Sequence, residues 1–322
     1  MSVPRRRFLK LMAGTACMPL VSLSANAQSY PARPVRLLVG FAAGGSGDVL
    51  ARLMAQWLTD RLKQTIVVEN KVGAGGNIAI DTVLRSPADG LTLLMNTMPA
   101  LITPPLPENF DLARESTPVA GAYQAYLLML THPSVPAATL PEFIAYAKAN
   151  PGKISMASAG NGTAPHMAGE LFKMMTGLDI VHVPYRGGGP ALTDLLGGQV
   201  QLLFSNLPAD QYIKTGKLRA LAVTTASRSE ALPNLPTVAE TVPGYEASVA
   251  FGVCAPKGTP ADIVEKLNSE INAGLADSQI QARMLDLGAK PLVLSPAEYG
   301  KFIAEQSAKW NKVAREAKIK TD

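Results

Sequence analysis

The fold class of this chain is indicated by residues 35–48, which read VRLLVGFAAGGSGD. The first five form a mostly apolar run of strand length, and a glycine-rich segment follows directly. Asp48 is placed to cap a helix, because apolar residues recur after it at helical spacing. A strand, a glycine-rich turn and a helix in this order predict one unit of an α/β fold.

The same order recurs along the chain. Further apolar runs predict strands at 66–68, 91–95, 154–156, 180–183, 202–204 and 218–223. Thr259 and Ser295 each precede a proline and are followed three residues later by an acid, a pattern that predicts the start of a helix. Strands that alternate with helices are typical of an α/β fold with largely parallel sheets.

Two polar, proline-containing stretches, 103–118 and 224–243, predict crossings between two lobes. Two crossings imply that one lobe is discontinuous and that the other is inserted into it. We therefore expect residues 28–122 and 226–322 to form lobe 1, and residues 123–225 to form lobe 2.

Residues 1–27 have the pattern of an export signal. RRRFLK at 5–10 resembles the twin-arginine motif, an apolar stretch follows, and Ala25-Asn26-Ala27 is a small-x-small cleavage site. The alternative, an uncleaved membrane anchor, is disfavoured because the apolar run is short and is broken by Pro19. The sequence thus predicts cleavage after Ala27 and a periplasmic protein.

Charge and cysteine content exclude some function classes. The 322 residues carry a formal net charge of +5, but four of the 30 basic residues lie in the predicted signal, and the rest of the chain is close to neutral. We therefore expect no nucleic-acid partner, which would need a cationic face. Cys254 is the only cysteine after the predicted signal and lies in an apolar run, so we expect a buried thiol and no internal disulfide.

Glycine and small polar residues follow most of the predicted strands. The segments are 41–48, 73–77, 96–99, 158–163, 184–189 and 205–208. Ligands of parallel sheets bind beyond the carboxyl ends of the strands, where glycine lets backbone N–H groups approach closely and helix N-termini favour anions. None of the segments completes a dinucleotide fingerprint or a phosphate-binding loop. We therefore expect a ligand cleft between two lobes, with no nucleotide or other cofactor.

Residues for catalysis or metal binding are sparse. The three histidines, His132, His166 and His182, have no paired-ligand spacing, so we expect no metal site. Ser158 and His166 could act as nucleophile and base of an exported hydrolase, although no Gly-x-Ser-x-Gly elbow is present. The favoured role of His166 is to orient its loop or to donate to a ligand. His182 alternates with apolar neighbours and is expected to be a strand residue with a satisfied side chain.

A set of longer motifs is similar to a known family. They are YPARPV at 30–35, FAAGGSGD at 41–48, NKVGAGGN at 70–77, ADGLTLL at 88–94, GNGTAPH at 160–166, VPYRG at 183–187, LLGGQV at 195–200, GKLRALAVT at 216–224 and LPTVAE at 235–240. On these motifs the chain resembles the Bug family, the extracytoplasmic solute receptors of tripartite tricarboxylate transporters. One departure is RGGG at 186–189, where the family usually has Lys-Gly followed by varied residues.

The resemblance implies a type II periplasmic-binding-protein fold, with two α/β lobes around a ligand cleft. It also implies a small carboxylate as ligand: a di- or tricarboxylate, an acidic amino acid or an aromatic acid, held by backbone N–H groups of the first-lobe loop. The residues expected in the site are Phe41, Ala42, Ala43, Gly44, Gly45, Asp48, Asn77, Thr97, Ser158, Gly162, Thr163, His166, Tyr185, Arg186, Gly187, Ser205 and Asn206. Arg186 is placed either to meet a second carboxylate or to lie in a solvated or interlobe position.

The resemblance further implies a protein that performs no chemistry and passes its ligand to the membrane subunits of a transporter. We expect it to be a monomer. A solute sensor that signals through a membrane kinase is an open alternative, and the exported hydrolase is a second one with less support.

Overall fold

The computed structural model describes residues 30–98 and 110–319 and folds them into two β-sheets with helices packed around them. The strands are β1 (Val35–Val39), β2 (Ile66–Asn70), β3 (Thr92–Met98), β4 (Ser116–Ala125), β5 (Leu128–Thr131), β6 (Ile154–Ser158), β7 (Ile180–Pro184), β8 (Leu202–Ser205), β9 (Arg219–Val223), β10 (Val249–Pro256) and β11 (Ala289–Pro291). The helices are α1 (Ser46–Leu62), α2 (Asn77–Leu84), α3 (Leu112–Glu115), α4 (Leu140–Ala149), α5 (Ala164–Thr176), α6 (Gly188–Leu196), α7 (Asp210–Lys214), α8 (Ala261–Leu275), α9 (Ser278–Asp286) and α10 (Pro296–Glu316). The predicted export signal lies outside the described residues.

The first sheet has the strand order β11-β4-β10-β3-β1-β2 and the second has the order β7-β6-β8-β5-β9. In the first sheet β1 pairs in parallel with β2 and β3, and in the second β6 pairs in parallel with β7 and β8. The carboxyl ends of each parallel set therefore meet at one edge of their sheet. The remaining pairs, which involve β4, β5, β9, β10 and β11, are antiparallel.

The α/β fold class is confirmed, and each apolar run that predicted a strand overlaps one, although the runs at 91–95 and 218–223 begin one residue too early. The expectation of largely parallel sheets is wrong, because β4, β5, β9, β10 and β11 introduce antiparallel pairing into the two sheets. Parallel neighbours in a sheet are joined by a crossover connection, which is usually a helix. The link from β4 to β5 contains no helix and leads into the other sheet. No local pattern in the sequence reports such a pairing.

The chain passes between the sheets at two places. β4 of the first sheet ends at Ala125 and β5 of the second begins at Leu128, while the return follows the end of β9 at Val223. The predicted lobe boundaries, after residues 122 and 225, lie close to these crossings. The crossing expected within 103–118 is wrong for its described part, since residues 116–118 already belong to β4.

The two crossings are bonded to each other through Thr224, whose side chain is fully buried. Its N–H donates to the Leu127 carbonyl at 3.0 Å, and its Oγ1 accepts the Leu127 N–H at 2.9 Å. The Ala247 N–H donates to the Thr224 carbonyl at 2.9 Å. Away from the crossings, α10 packs on both β4 and α5, so the C-terminal helix also links the two sheets.

The predicted N-caps of α8 and α10 can be compared with the observed ones. Ser295 caps α10 as predicted, because its Oγ accepts the Glu298 N–H while the Glu298 carboxylate accepts the Ser295 N–H. At α8 the expected cap is wrong by one residue, since the N-cap is Pro260. The Thr259 hydroxyl instead donates to the Pro256 carbonyl at 2.8 Å.

The core consists of apolar side chains between the sheets and their helices. Among the largest fully buried side chains are Trp310, Tyr245 and Phe172, and burial of each contributes about 2–3 kcal/mol. Cys254 lies in β10 and is fully buried as a free thiol, as expected. Burial raises the pKa of this thiol to about 12 and keeps it protonated.

Candidate functional site

The loop of residues 40–45 joins β1 to α1 and is fixed by the carboxylate of Asp48, which is only 2% exposed. Oδ2 of Asp48 accepts the Gly44 N–H and Arg52 Nε, each at 3.0 Å, and Oδ1 accepts Asn70 Nδ2 at 2.8 Å. Burial raises the pKa of the Asp48 carboxyl, but these three hydrogen bonds outweigh it and hold the pKa below its ordinary value. Asp48 is therefore an ionised anchor inside the loop.

This role of Asp48 differs from the predicted helix cap. The N-cap of α1 is Gly45, and Asp48 lies in the first turn. The cap prediction is wrong because the helix begins directly after the glycines, and the carboxylate then turns back to the N–H of Gly44. An acid in the first turn still interacts favourably with the helix dipole.

Asn70 connects the loop to the neighbouring strand. It ends β2 beside Val39 at the end of β1. Its Nδ2 also donates to the Phe41 carbonyl at 3.0 Å, and its Oδ1 accepts Arg52 Nη2 at 2.9 Å. Neither Asn70 nor Arg52 was predicted from the sequence to support the site. The available signal was an asparagine at a strand end, next to the glycine-rich loop.

Aromatic rings pack beneath the loop. The Phe41 ring meets Phe251 edge-on with centroids 5.5 Å apart, and Phe251 stacks on Tyr123 at 4.4 Å. The Tyr123 hydroxyl donates to the Gly47 carbonyl at 3.0 Å. A Cβ at Gly47 would lie 2.7 Å from the Phe41 ring, so this packing requires glycine. Thr97, half-buried in β3, lies opposite Phe251 in β10.

The outer side of the same loop presents backbone groups to solvent. Ala42, Ala43 and Gly44 are exposed. Within the described residues, the N–H groups of Ala42 and Ala43 donate no hydrogen bond, whereas the N–H of Gly44 is taken by Asp48. The φ of Gly44 is +85°, a conformation that glycine adopts without strain. The loop thus has exposed residues whose amides lack an internal acceptor, beside the N-terminus of α1.

The glycines after β2 lie against the end of β1. A Cβ at Gly40 would lie 2.8 Å from the Cα of Gly76, so the close approach of the two backbones requires glycine at position 40. Gly76 also has a φ of +101°. Asn77 follows as the first residue of α2 and is fully buried. The close approach places residues 73–76 beside the loop of residues 40–45.

The corresponding loop of the second sheet, residues 159–163, joins β6 to α5 and is held from inside. Ser158 is fully buried, and its Oγ lies 3.2 Å from both the N–H nitrogen and the carbonyl oxygen of Gly160. The Thr163 hydroxyl donates to the same carbonyl at 2.8 Å. The Gly162 N–H donates to His166 Nδ1 at 3.0 Å. These hydrogen bonds hold Gly160, Gly162 and Thr163 of the second loop in place.

The pairing of Ser158 with His166 proposed for a hydrolase is wrong. The histidine in contact with Ser158 Oγ is His182, with its Nε2 at 2.7 Å. His166 instead bonds the backbone of Gly162, and Ser158 has no exposed surface from which to attack a substrate. The two residues are close in sequence but diverge because one ends a strand and the other lies inside the following helix.

Residues 184–187 form a further part of this rim. The Tyr185 N–H donates to the Ser158 carbonyl at 3.0 Å, and the Gly187 N–H donates to the Ala159 carbonyl at 3.2 Å. The Tyr185 hydroxyl donates to Asp194 at 2.6 Å, and this hydrogen bond raises the pKa of Tyr185 to about 12. Arg186 is exposed and forms no ion pair with any residue that the structure describes.

Ser205 and Asn206 stand at the end of β8. Ser205 is buried, and its Oγ accepts the Leu207 N–H at 3.1 Å. Asn206 is half-buried at the start of the segment that leads to α7. Ser205 therefore shapes this turn, and Asn206 is the more accessible of the two.

The loops of the two sheets face each other. A Cβ at Gly75, from the first, would lie 3.8 Å from the carbonyl oxygen of Asn161, from the second. Asn161 is half-buried and was not among the predicted site residues. Gly162 and Thr163, next to it in the sequence, were predicted from the resemblance. Asn161 is identified only by the approach of the two loops.

The predicted site residues fall into two groups by accessibility. Exposed or half-buried are Phe41, Ala42, Ala43, Gly44, Gly45, Thr97, Thr163, Tyr185, Arg186, Gly187 and Asn206. Buried are Asp48, Asn77, Ser158, Gly162, His166 and Ser205. Among the described residues, no group of three or more histidine, cysteine or acidic side chains could hold a metal ion. In the same ranges, no helix is long and apolar enough to cross a membrane.

Residues 50–319 match the family model described as the tripartite tricarboxylate transporter family receptor. The chain belongs to this family. It is a solute-binding receptor, and the resemblance to Bug proteins noted from its motifs is confirmed.

Solved structures agree with this assignment. The chain is 38% identical to Rpa4515 of R. palustris, solved with adipate, with a TM-score of 0.83 over 90% of this chain and 99% of that one. It is 36% identical to the periplasmic binding protein BugD, with a TM-score of 0.80 over 90% and 99%. It is 31% identical to MatC of Rhodopseudomonas palustris with bound malate, with a TM-score of 0.79 over 88% and 99%. The two-lobed periplasmic-binding-protein fold is thereby confirmed.

Proposed function

We propose that this receptor binds a small organic carboxylate in the gap between residues 41–45 and residues 159–163. The observation that carries the proposal is the pair of exposed backbone amides of Ala42 and Ala43, which lie beside the start of α1 and lack internal partners among the described residues. Such amides favour an anion. The adipate and malate found in two relatives are both dicarboxylates, which supports this ligand class.

The affinity of such a site does not require a buried arginine. Micromolar binding needs about −8 kcal/mol. Each hydrogen bond to a charged group contributes roughly 1.5–3 kcal/mol, and a helix terminus adds about 0.3–1 kcal/mol. Four or five donors therefore suffice after desolvation, and a receptor without a strong ion pair releases its ligand more readily.

We assign the residues of the site to two roles. The exposed and half-buried group listed above lines the gap and meets the ligand, with Arg186 as a candidate partner for a second carboxylate. The buried group holds the loops in shape through the hydrogen bonds of Asp48, Ser158 and His166. Residues 28–122 with 226–322, and residues 123–225, form the lobes that close on the ligand.

In this proposal the receptor is a periplasmic monomer, exported by the signal at residues 1–27 and cleaved after Ala27, that passes its ligand to the membrane subunits of the transporter. It carries out no chemical step. The hydrolase alternative loses its basis because the Ser158 hydroxyl is enclosed, and no observation favours a sensor.

The test is a binding screen on the purified protein. Thermal shift and calorimetry with adipate, malate, citrate, glutamate and benzoate are compared with adipamide, which has the shape of adipate without its charges. We expect at least one acid to stabilise the protein and adipamide to have no effect. Equal effects of adipate and adipamide, or no effect of any acid, would contradict the proposal.

A further inference from the structure

Two histidines from different elements stack directly behind the loop of residues 159–163. The rings of His166, in the first turn of α5, and His182, in β7, lie 3.8 Å apart and are inclined by only 10°. His166 is buried, with 4% of its surface exposed. The two rings contact each other, and each also contacts a different residue that holds the loop: Gly162 for His166 and Ser158 for His182.

The polar atoms of both rings are used on the loop. His166 Nδ1 accepts the Gly162 N–H at 3.0 Å. His182 Nε2 lies 2.7 Å from Ser158 Oγ, which in turn contacts the N–H and the carbonyl of Gly160. Gly160 and Gly162 have φ values of +126° and +73°. The loop thus has an unusual backbone conformation, and two of its residues are held from behind by the histidine pair.

The hydrogen-bond pattern defines the protonation of the pair. Because His166 Nδ1 accepts an N–H, its own proton is on Nε2, which faces the Glu170 carboxylate at 3.6 Å. Burial is the largest cause that lowers the pKa of His182 to about 4, so this ring is neutral at neutral pH. A neutral His182 ring can stack closely on His166, whereas two imidazolium rings would repel each other.

Charged groups surround the pair at a short distance. Glu170 and Lys173 of α5 form an ion pair of 2.9 Å. With Asn161 and the two histidines, they line a cavity of about 210 Å³, whose other wall is residues 317–319, just after α10. The pair therefore lies between the second sheet and the C-terminal segment of the chain, in a cavity that is partly open.

We infer that His182 is a positioning residue of the ligand site: through Ser158 and the stacked ring of His166, it holds residues 159–163 in the conformation that receives the ligand. This inference rests on the proposed function, since it assigns to the loop a role in binding. His182 lies in β7 with its side chain hydrogen-bonded, as expected from the sequence, and the inference adds a role to that contact.

The test compares two substitutions at His182 that have different hydrogen-bonding ability. In His182→Gln the side-chain amide can still reach Ser158, whereas in His182→Leu the volume is similar but no polar atom remains. His132→Leu is the matched control, because His132 Nδ1 also bonds a serine hydroxyl, that of Ser134, at 2.8 Å. His132 follows the end of β5 that pairs with the start of β8, so it lies at the opposite edge of the sheet from the loop.

The first readout is amide hydrogen exchange of residues 160–163 in the ligand-free protein. We expect exchange to be about tenfold faster in His182→Leu, near wild type in His182→Gln, and unchanged in His132→Leu. At Gly160, Ser158→Ala should speed exchange at least as much as His182→Leu does, and the double variant should add nothing further there, because His182 reaches this residue through Ser158. Unchanged exchange in His182→Leu, or additive effects in the double variant, would overturn the inference.

The second readout is the dissociation constant for adipate and malate. We expect His182→Leu to weaken binding about tenfold and His182→Gln to stay within about threefold of wild type. Faster exchange in His182→Leu with an unchanged dissociation constant would overturn the role of His182 in binding. If wild type binds neither acid nor any other acid of the screen, the proposed function fails, while the exchange rates still decide whether the pair holds the loop. Should His182→Leu not fold, Ser158→Ala and His182→Gln carry the comparison.

Discussion

Replacement of Asp48 by asparagine tests the internal anchor of the first loop. The substitution keeps the size of the side chain but converts one carboxylate oxygen to an NH₂ group. If that group replaces Oδ1, it faces Nδ2 of Asn70, which cannot simply turn over because its own Oδ1 is held by Arg52 at 2.9 Å. If it replaces Oδ2, it faces the Gly44 N–H and Arg52. Either orientation sets donor against donor.

The magnitude follows from the bonds that are lost. A hydrogen bond to a charged group contributes about 1.5–3 kcal/mol, and an unmatched donor at a site 2% exposed adds its desolvation cost. We expect Asp48→Asn to lower the free energy of unfolding by about 2–4 kcal/mol. Since 1 kcal/mol shifts the Tm by roughly 2–4 °C in domains of 150–250 residues, the Tm should fall by about 4–16 °C.

The assay combines thermal unfolding with calorimetric binding of adipate and malate. Asp60→Asn is the matched control, because Asp60 lies exposed on the same helix with a single 3.5 Å contact to Gln56, and we expect a change within about 0.5 kcal/mol. Affinity should also fall in Asp48→Asn, since the Gly44 N–H loses its acceptor. A Tm within about 1 °C of wild type would refute the anchoring role, because the loss of a buried charge with three donors cannot be that small.

Three further outcomes are expected. Gly47→Val should lower the Tm and weaken carboxylate binding, because its Cβ would lie 2.7 Å from the Phe41 ring and overpacking costs about 1–3 kcal/mol; an unchanged Tm would show that the rings yield freely. Arg186→Ala should weaken diacids far more than monoacids in calorimetry, and equal losses would exclude a contact with a second carboxylate. The pKa of His182 is about 4 in the folded protein against an ordinary 6.5, so the unfolded chain binds more protons between these values, and stability should decline as the pH falls from about 6.5 to about 4. After allowance for partial solvent screening the loss is about 1–2 kcal/mol, measured by urea unfolding at pH 7 and pH 4.5; His182→Gln should lack this component.

The sequence predicted the elements that depend on neighbours within a few residues. The apolar run of β1, the glycines after it and the helix of α1 are read from periodicity and residue type, and the box of Ser295 with Glu298 is closed within one helical turn. The motifs also predicted the family, because they sample loops along the whole chain. These features can be predicted because they depend on residues that are close together in the sequence.

The sequence was less informative about the site. It named His166 but not Asn70, Asn161 or His182, since these residues join the site through partners that lie far away in the chain. His182 is 24 residues from Ser158, and a strand pairing brings the two together. It allowed that Asp48 fixes the loop but placed it as the helix cap, because the bond back to Gly44 depends on a loop shape that residue type does not reveal.

By itself, then, the sequence determined the α/β class, the glycine loops after the strands and the receptor family, because helix and strand formation, capping and backbone freedom are local properties of residues. Only the tertiary structure decided which strands pair antiparallel, where the chain crosses between the sheets, and which predicted residues face the gap rather than support it from behind. Those outcomes depend on burial and on hydrogen bonds between distant segments, which acquire their energies only once the sheets have formed.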